Sequence, residues 1–429
     1  LINFSQYIRM PDTKLARNLN FTDIYLISLG HIIGAGIFIL ISKSAKYSKN
    51  YTWLAFLIAG LLSVLNAFTY MDLASIFKTN SSEFEYISES LGKPIGLIST
   101  ILILLMGIFL TATVTLGTGE YMNKLFGFPK ILSAILLIVI FAGINIVGVK
   151  TSANVNAVTT IIETGALILV IVGGFFYINN KNSKINSSKT TGYIKDLSSN
   201  LGGVLYASLI AIFAYTGFET TVKLTEEAIN PNRDIPLALI TSVITSIVLY
   251  TLISYIATKL INVDKFAKSV TPIADMAKII FGENMYKIFT MVALVSISNT
   301  VLSSILGNSR LLHGISGFYP QLNILQSIND TTQTPIIAII TIAFASILAL
   351  NVKNVEKSSV ISSYLFFIIL TLVNLSLIII YLKGDYKTEL SKTWSNPINQ
   401  HFPILPTMAF ITSVGMIIFC FSQKKKNIM

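Results

Sequence analysis

The sequence predicts an all-α polytopic membrane protein, and three observations lead there. First, its 429 residues are 53% hydrophobic and only 12% charged, with a mean hydropathy of +0.71. A soluble domain carries about 25% charged residues. Second, the apolar residues gather into eleven runs, at 22–41, 52–76, 95–118, 129–149, 154–178, 201–224, 236–262, 284–312, 335–351, 358–382 and 403–421. A bilayer-crossing helix needs roughly 20 such residues, whereas barrel strands are shorter and alternate in polarity. Third, two runs carry glycine-bearing interruptions near their middles, Gly34-Ala35-Gly36-Ile37-Phe38 and Ala214-Tyr215-Thr216-Gly217-Phe218-Glu219. Irregular backbone at membrane depth is tolerated only where it is buried in protein or lines a cavity.

Span 1 holds the first interruption, and span 2 runs into an amphipathic segment, 80–92, too short to cross. That segment is expected on the cytoplasmic face. Spans 3 to 5 follow with short connections, and span 5 carries an acid, Glu163, far from either end. The polar stretch 179–200, rich in Asn, Ser and Lys, is expected to be a flexible external loop. Span 6 holds the second interruption. Residues 264–281, with Pro272 and Asp275, read as a helical cap between spans 7 and 8.

Laying Gly36 on Gly217 divides the chain into residues 1–178 (spans 1–5), the loop 179–200, residues 201–382 (spans 6–10) and an additional C-terminal span or spans in 383–429. Because five is odd, the two units would lie in opposite orientations. Such inverted repeats, each with a broken helix, point to the midplane site of a secondary transporter.

Other classes fit poorly. A single cysteine, Cys420, excludes an intramolecular disulfide and a cysteine metal cluster, and His31, His313 and His401 are too scattered for a metal site. No nucleophile–base pair stands in or beside the spans, so an enzyme is not expected. The net charge of +11 comes from lysines spread through the loops, which suits a solvated membrane rim rather than nucleic acid. No cleavable leader is expected ahead of span 1. With the N-terminus in the cytoplasm, all four arginines (Arg9, Arg17, Arg233, Arg310) lie inside. The lysines run the other way, with more of them outside. Lys424-Lys425-Lys426 would then face outward.

Several residues carry chemistry. Backbone N–H groups at Gly34, Ala35 and Gly36, if exposed at the start of a half-helix, would attract an anion such as an α-carboxylate. The alternative is close helix packing by small residues. An ionised Glu163 at mid-membrane costs about 2.5–3.5 kcal/mol even on the lenient insertion scale. It is therefore neutral, paired or facing water. It would bind a proton, ligate a cation with Ser296 or Ser298 of span 8, or serve as a protonated structural acid. His31 titrates near neutrality when exposed, although a packing histidine is the plainer reading.

Around these residues the chain resembles the amino acid–polyamine–organocation (APC) superfamily. The motifs are Gly30-His31-Ile32-Ile33-Gly34-Ala35-Gly36-Ile37-Phe38 in span 1 and Phe213 to Glu219, continued by Glu226-Glu227-Ala228-Ile229-Asn230-Pro231-Asn232-Arg233-Asp234-Ile235-Pro236. Gly307-Asn308-Ser309-Arg310 to Gly317-Phe318-Tyr319-Pro320 and Thr334-Pro335 add to it. Two departures stand out. Ser81-Ser82 precede Glu83-Phe84 where the family often has a glycine pair, and eleven spans are counted where most members have twelve.

The resemblance implies the five-plus-five inverted-repeat transporter fold with discontinuous helices 1 and 6. It implies amino acid transport by alternating access, proton-coupled, with no cofactor. Carbonyls of Ile32, Ile33, Phe213 and Ala214 would take the substrate ammonium, and Phe213 and Tyr215 would form an aromatic gate near Gly217. Glu219 matches the acid the family keeps on the inner half of span 6. Glu163 stands where several proton-coupled members have lysine. Glu226, Glu227, Arg233 and Asp234 would latch the inner mouth with Arg310, or remain solvated loop charges. The partners would be an amino acid and the lipid bilayer of a plasma or bacterial inner membrane, with the oligomeric state open. The rival readings are an amino acid exchanger, a polyamine or organic amine carrier, a transport-dead receptor and a channel.

Overall fold

Each of the eleven apolar runs holds an α-helix, the sixth continuing past its helix, in the computed structural model, which describes residues 15–180, 190–352, 355–384, 386–391, 393, 395–399 and 402–425. Arg9, Lys426, His401, the side chain of Cys420 and the loop lysines Lys181, Lys184 and Lys189 lie outside the described residues. The helices are α1 (Phe21–Ser48), α2 (Thr52–Ile76), α3 (Ser82–Leu91), α4 (Lys93–Phe126), α5 (Lys130–Val147), α6 (Val149–Asn180), α7 (Thr190–Phe213) and α8 (Pro231–Leu260). There follow α9 (Val263–Phe266), α10 (Pro272–Phe281), α11 (Glu283–Ser316), α12 (Ile336–Ala349), α13 (Val355–Lys383), α14 (Lys387–Leu390), α15 (Asn396–Asn399) and α16 (Ile404–Lys425).

Among the described residues eight stretches are long and apolar enough to cross a bilayer, the first of them, Phe21–Ile76, holding both α1 and α2. Two apolar helices are shorter than expected, Ile336–Ala349 and Ile404–Phe419. The 14 residues of α12 rise ~21 Å at about 1.5 Å each, and a 3-10 turn over Leu350–Val352 extends them. The 179–200 loop is also shorter than read from composition, because α7 already begins at Thr190.

Local chemistry sets the helix starts. Asn20 and Asp23 form a reciprocal capping box on α1, with the Asp23 N–H donating to Asn20 Oδ1 at 3.1 Å and the Asn20 N–H to Asp23 Oδ2 at 3.0 Å. Lys150 Nζ pairs with the same Asp23 carboxylate at 2.5 Å. Prolines open α8 and α10, where their missing N–H costs nothing. Amphipathic α3 packs on α4 and α13, and Asn80 just before it bonds Glu226, close to the bridge that joins Leu19, ahead of α1, to Ala228; this end is hereafter the near side. Ser82, at a place where the resembled family has glycine, holds φ +22°.

Burial separates the centre from the lipid face. The most apolar windows of Asn200–Leu224 and Glu283–Ser316 are 72% buried, against 22% for Lys130–Val147 and 28% for Val149–Asn180. Helix α1 packs against α6, α7, α8 and α11 and is the hub they share. Helix α6 turns Val158, Ile161, Ile162, Ile168 and Leu169 outward and buries one narrow stripe, which includes Ser152, Asn156, Thr160 and Glu163. Spacings of three and four residues place that polar stripe on one helix face. It faces the hub.

Candidate functional site

The second interruption is a true helix break. Helix α7 stops at Phe213, and the chain turns through hydrogen bonds of the i→i−3 kind, from Ala214 N to Ala211 O at 2.9 Å, Tyr215 N to Ile212 O at 2.9 Å and Thr216 N to Phe213 O at 3.2 Å. It then continues as a 3-10 helix over Phe218–Leu224. Gly217 holds φ +118°, a conformation that only glycine adopts without strain. Glu219 Oε2 accepts the Gly217 N–H at 2.8 Å, replacing the bond lost at the break. The Phe213 carbonyl is taken by Thr216 Oγ1 at 2.7 Å, so it does not stand free as expected.

The first interruption behaves differently. Contrary to the expectation of a discontinuous helix 1, α1 runs unbroken from Phe21 to Ser48, with Gly34, Ala35 and Gly36 inside it. These N–H groups therefore belong to a helix rather than to the exposed start of one. The glycines are used for close approach instead. A Cβ on Gly36 would lie 2.6 Å from Ala214 Cα and 2.7 Å from Ala214 O, and one on Gly34 would lie 1.6 Å from Thr300 Oγ1. So α1 crosses the broken segment backbone to backbone at Gly36 and α11 at Gly34.

Tyr250 of α8 ties this crossing. Its buried hydroxyl donates to Ile32 O at 2.7 Å and lies 3.2 Å from Ala214 O, one carbonyl from each crossing chain. Ile33 is buried within α1. Tyr215 does not fit the expected gate: its hydroxyl donates to Phe56 O of α2 at 2.9 Å and its ring packs on Tyr250 at 5.0 Å. Its side chain is thus committed to the α2–α8 packing. Phe213 is buried.

Glu163 lies fully buried between α6 and α11. Ser296 Oγ donates to its Oε2, and Asn299 Nδ2 to its Oε1 at 3.3 Å. Ser296 Oγ also stands 3.4 Å from Gly34 O, linking the acid to α1. Asn299 donates to Thr160 Oγ1 at 3.0 Å, and Asn299 Oδ1 has no partner among the described residues. Ser298, the expected alternative to Ser296, instead donates to Leu294 O of its own helix at 2.6 Å. Two residues along a helix is more than half a turn, so positions 296 and 298 cannot share a face.

On the near side, below the break, lie further buried charges. Lys223 Nζ is 3.8 Å from Glu83 Oε1 of α3, with both side chains almost fully enclosed. Glu83 also accepts from Ser82 Oγ and from Tyr70 at 3.4 Å. His31 lies against Gly217, its Cγ 2.9 Å from where a Cβ would be, and neither ring nitrogen has a partner among the described residues. Deeper still, Arg310 Nη2 meets Glu227 Oε1 at 3.0 Å in a fully buried pair, while Arg233 stays exposed. Asn80 and Glu226 exchange hydrogen bonds, each at 3.0 Å. Burial pushes the Glu226 carboxyl above its ordinary range against the effect of the Asn80 N–H. Leu19 forms a bridge to Ala228, with its N–H on Glu227 O at 3.0 Å and the Ile229 N–H on Leu19 O at 2.9 Å.

Sequence reasoning missed Tyr250, Asn299 and Lys223. For Tyr250 a signal existed. Ser242, Ser246, Tyr250 and Ser254 repeat every four residues on one buried face of α8. For Asn299 the i, i+3 spacing from Ser296 was the corresponding clue.

Comparison with known proteins agrees with this architecture. A family model described as amino acid permease matches residues 19–427. The mitochondrial cationic amino acid transporter 3 of Arabidopsis thaliana is 27% identical over 388 residues, covering 86% of this chain and 63% of the relative. The methylthioribose transporter of Bacillus subtilis (strain 168) is 25% identical over 344 residues, 75% of this chain and 72% of that one. The branched-chain amino acid permease BcaP of the same organism is 23% identical over 354 residues, 76% and 73%. The chain spans about three-fifths of the length of the first Arabidopsis relatives it matches.

Proposed function

The chain belongs to the amino acid permease family, and from that premise we propose that it carries amino acids across the membrane by alternating access around the crossing of α1 and the broken segment after α7. The family and the relatives are named as transporters, not enzymes. The observation that carries the reading is the break itself: a capped, glycine-hinged interruption of a central helix, pressed against a glycine-rich stretch of α1. The names of the relatives range over cationic and branched-chain amino acids.

In this reading the substrate ammonium replaces the Tyr250 hydroxyl at Ile32 O and Ala214 O. The α-carboxylate takes N–H groups of Gly34, Ala35 and Gly36 when α1 unwinds there, which glycine allows at least steric cost. The near side is the cytoplasm. Arg310–Glu227, Asn80–Glu226 and the Leu19–Ala228 bridge hold the inner mouth shut. Breaking one partner of a buried ion pair costs about 3–5 kcal/mol, so the mouth opens only as all of these contacts rearrange together.

Glu163 is the coupling group, with H+ as the driving ion. Ionised, it accepts a hydrogen bond from the Ser296 hydroxyl. Protonated, it no longer needs that donor, and the Ser296 O–H turns to Gly34 O, 3.4 Å away. The charge state of Glu163 thereby reaches the stretch of α1 that must unwind.

Uptake of a radiolabelled amino acid panel by the purified protein in proteoliposomes, with and without an inward proton gradient, tests this. Gradient-stimulated accumulation is expected. Equal exchange with no response to the gradient would make the protein an exchanger. In Glu163→Gln, counterflow exchange should survive while gradient-driven accumulation collapses, and retained accumulation would remove Glu163 from the mechanism.

A further inference from the structure

One buried acid outside the crossing fastens the segment that joins α13 to α16. Asp72, near the end of α2, is fully buried. Ser395 Oγ donates to its Oδ2. Asn399 Nδ2 donates to Ser395 Oγ at 3.0 Å, and the Leu405 N–H in the first turn of α16 donates to Asn399 Oδ1 at 3.1 Å. A chain of bonds thus runs from the C-terminal helix through the connection to α2. Every proton in it points toward Asp72, which suits an ionised carboxylate.

No cation of the protein answers that charge. None of the ion pairs among the described residues includes Asp72. Its second oxygen, Oδ1, is buried with no hydrogen-bond partner among the described residues. Tyr381 of α13 stands beside the same carboxyl. Its hydroxyl oxygen is likewise buried, with no partner at bonding distance among the described residues. Thr393 Oγ1 lies 3.5 Å from Ser395 Oγ and adds a further hydroxyl oxygen to the node. The start of the connection is held separately, by the Tyr386 ring 5.5 Å from Phe77 and the Tyr386 hydroxyl 3.3 Å from Glu89 Oε1. Its later half depends on the Asp72 node.

A buried carboxylate without a counter-charge is costly. A proton or a bound cation relieves it. Carboxylate and hydroxyl oxygens are hard donors, the set that suits alkali and alkaline-earth ions rather than zinc or copper. Asp72 is the one acid among these residues, so a single positive charge neutralises it and a divalent ion would leave a buried excess.

We propose that Asp72 and Tyr381, framed by Ser395 and Thr393, bind a monovalent metal cation, Na+ or K+, that fastens the connection and α16 to α2. The ion would bridge the two oxygens left unpaired at this node, Asp72 Oδ1 and the Tyr381 hydroxyl. Glu163 is no part of it, since both its oxygens are bonded by Ser296 and Asn299.

Thermal unfolding of the purified, substrate-free protein tests this, in NaCl, KCl, CaCl2 or N-methyl-D-glucamine chloride at equal ionic strength. Na+ or K+ should raise the melting temperature saturably by a few degrees, the mass-action effect of a ligand bound only by the folded state. Asp72→Asn keeps the size of the side chain, removes the charge and should abolish the shift. Tyr381→Phe should weaken the apparent cation affinity several-fold, and Glu163→Gln should keep the full shift. No difference between the alkali chlorides and the organic one overturns the proposal and leaves Asp72 a protonated structural acid. A shift that survives unchanged in Asp72→Asn overturns it too, as does one lost in Glu163→Gln, which puts the ion at the crossing. Stabilisation by Ca2+ with none by Na+ or K+ overturns the monovalent assignment. Should Asp72→Asn fail to fold, Tyr381→Phe decides, and an unchanged cation affinity there counts against the site. Because no substrate is present, each outcome is independent of the amino acid reading.

Discussion

Helices α1 and α7 each carry a glycine-bearing stretch near mid-membrane, yet only α7 breaks. The difference lies in what replaces the lost backbone bonds. After Phe213 the chain has Gly217 at φ +118°, a carboxylate from Glu219 to receive its N–H, and the Thr216 hydroxyl to fill the Phe213 carbonyl. Around Gly34–Gly36 no such side chains follow, and the space a side chain would need is filled by Thr300 and Ala214. Glycine permits a break. Neighbouring polar groups make one stable, because an unpaired backbone group in an apolar interior costs about 1–3 kcal/mol.

The sharpest way to break this comparison is to remove the close approach on the α1 side. Gly36→Val places a branched side chain within 2.6 Å of Ala214 Cα. Transport should be abolished, and overpacking should lower stability by about 1–3 kcal/mol without preventing membrane insertion. Uptake alongside a thermal-shift assay checks both parts. Normal transport would show that the crossing is not the site.

On the other side of the comparison, Glu219→Ala should leave the Gly217 N–H unsatisfied, costing about 1–3 kcal/mol and lowering the melting temperature. Glu219→Gln keeps an acceptor oxygen and should cost less. Equal losses in the two variants would mean that the charge of Glu219, not its cap, matters.

A smaller effect is expected from Tyr250→Phe. Removing the hydroxyl frees Ile32 O and Ala214 O and strips a competitor from the proposed ammonium position. The unliganded protein loses about 0.5–1.5 kcal/mol, and substrate should bind several-fold more tightly. Isothermal titration or KM measurements read this directly, and a weakened affinity would contradict the ammonium assignment.

The smallest effect belongs to Ser298→Ala. Among the described residues the Ser298 hydroxyl bonds within its own helix, so stability and transport should change by less than about 0.5 kcal/mol, whereas Ser296→Ala should impair gradient-driven uptake. A matching defect in both serine variants would refute the separate roles assigned from their positions on α11.

How much was legible follows from the range of the physics involved. All eleven apolar runs were readable as helices because the hydropathy of a segment depends on its own composition, while two of them, Ile336–Ala349 and Ile404–Phe419, came out shorter than a crossing needs. The short helices α3 and α10 were readable from amphipathic pattern and an opening proline. The break in span 6 was readable because glycine and its acid lie two residues apart. The break expected in span 1 was misread, because the same glycine signature serves hinges and close packing alike.

By itself, then, the sequence determined that the chain is a multi-spanning helical bundle, where its helices run, and that Glu163, Glu219 and His31 lie inside it. These are properties of segments, decided by local hydropathy and capping. Only the tertiary structure decided partnership. That Glu163 meets Ser296 and Asn299 rather than Ser298, that Tyr250 bridges Ile32 to Ala214, and that Lys223 is buried against Glu83 from α3 all depend on how each helix is rotated about its axis and which neighbour it meets. That rotation is set by packing across the whole bundle, where a one-residue change in facing turns a side chain by about 100°.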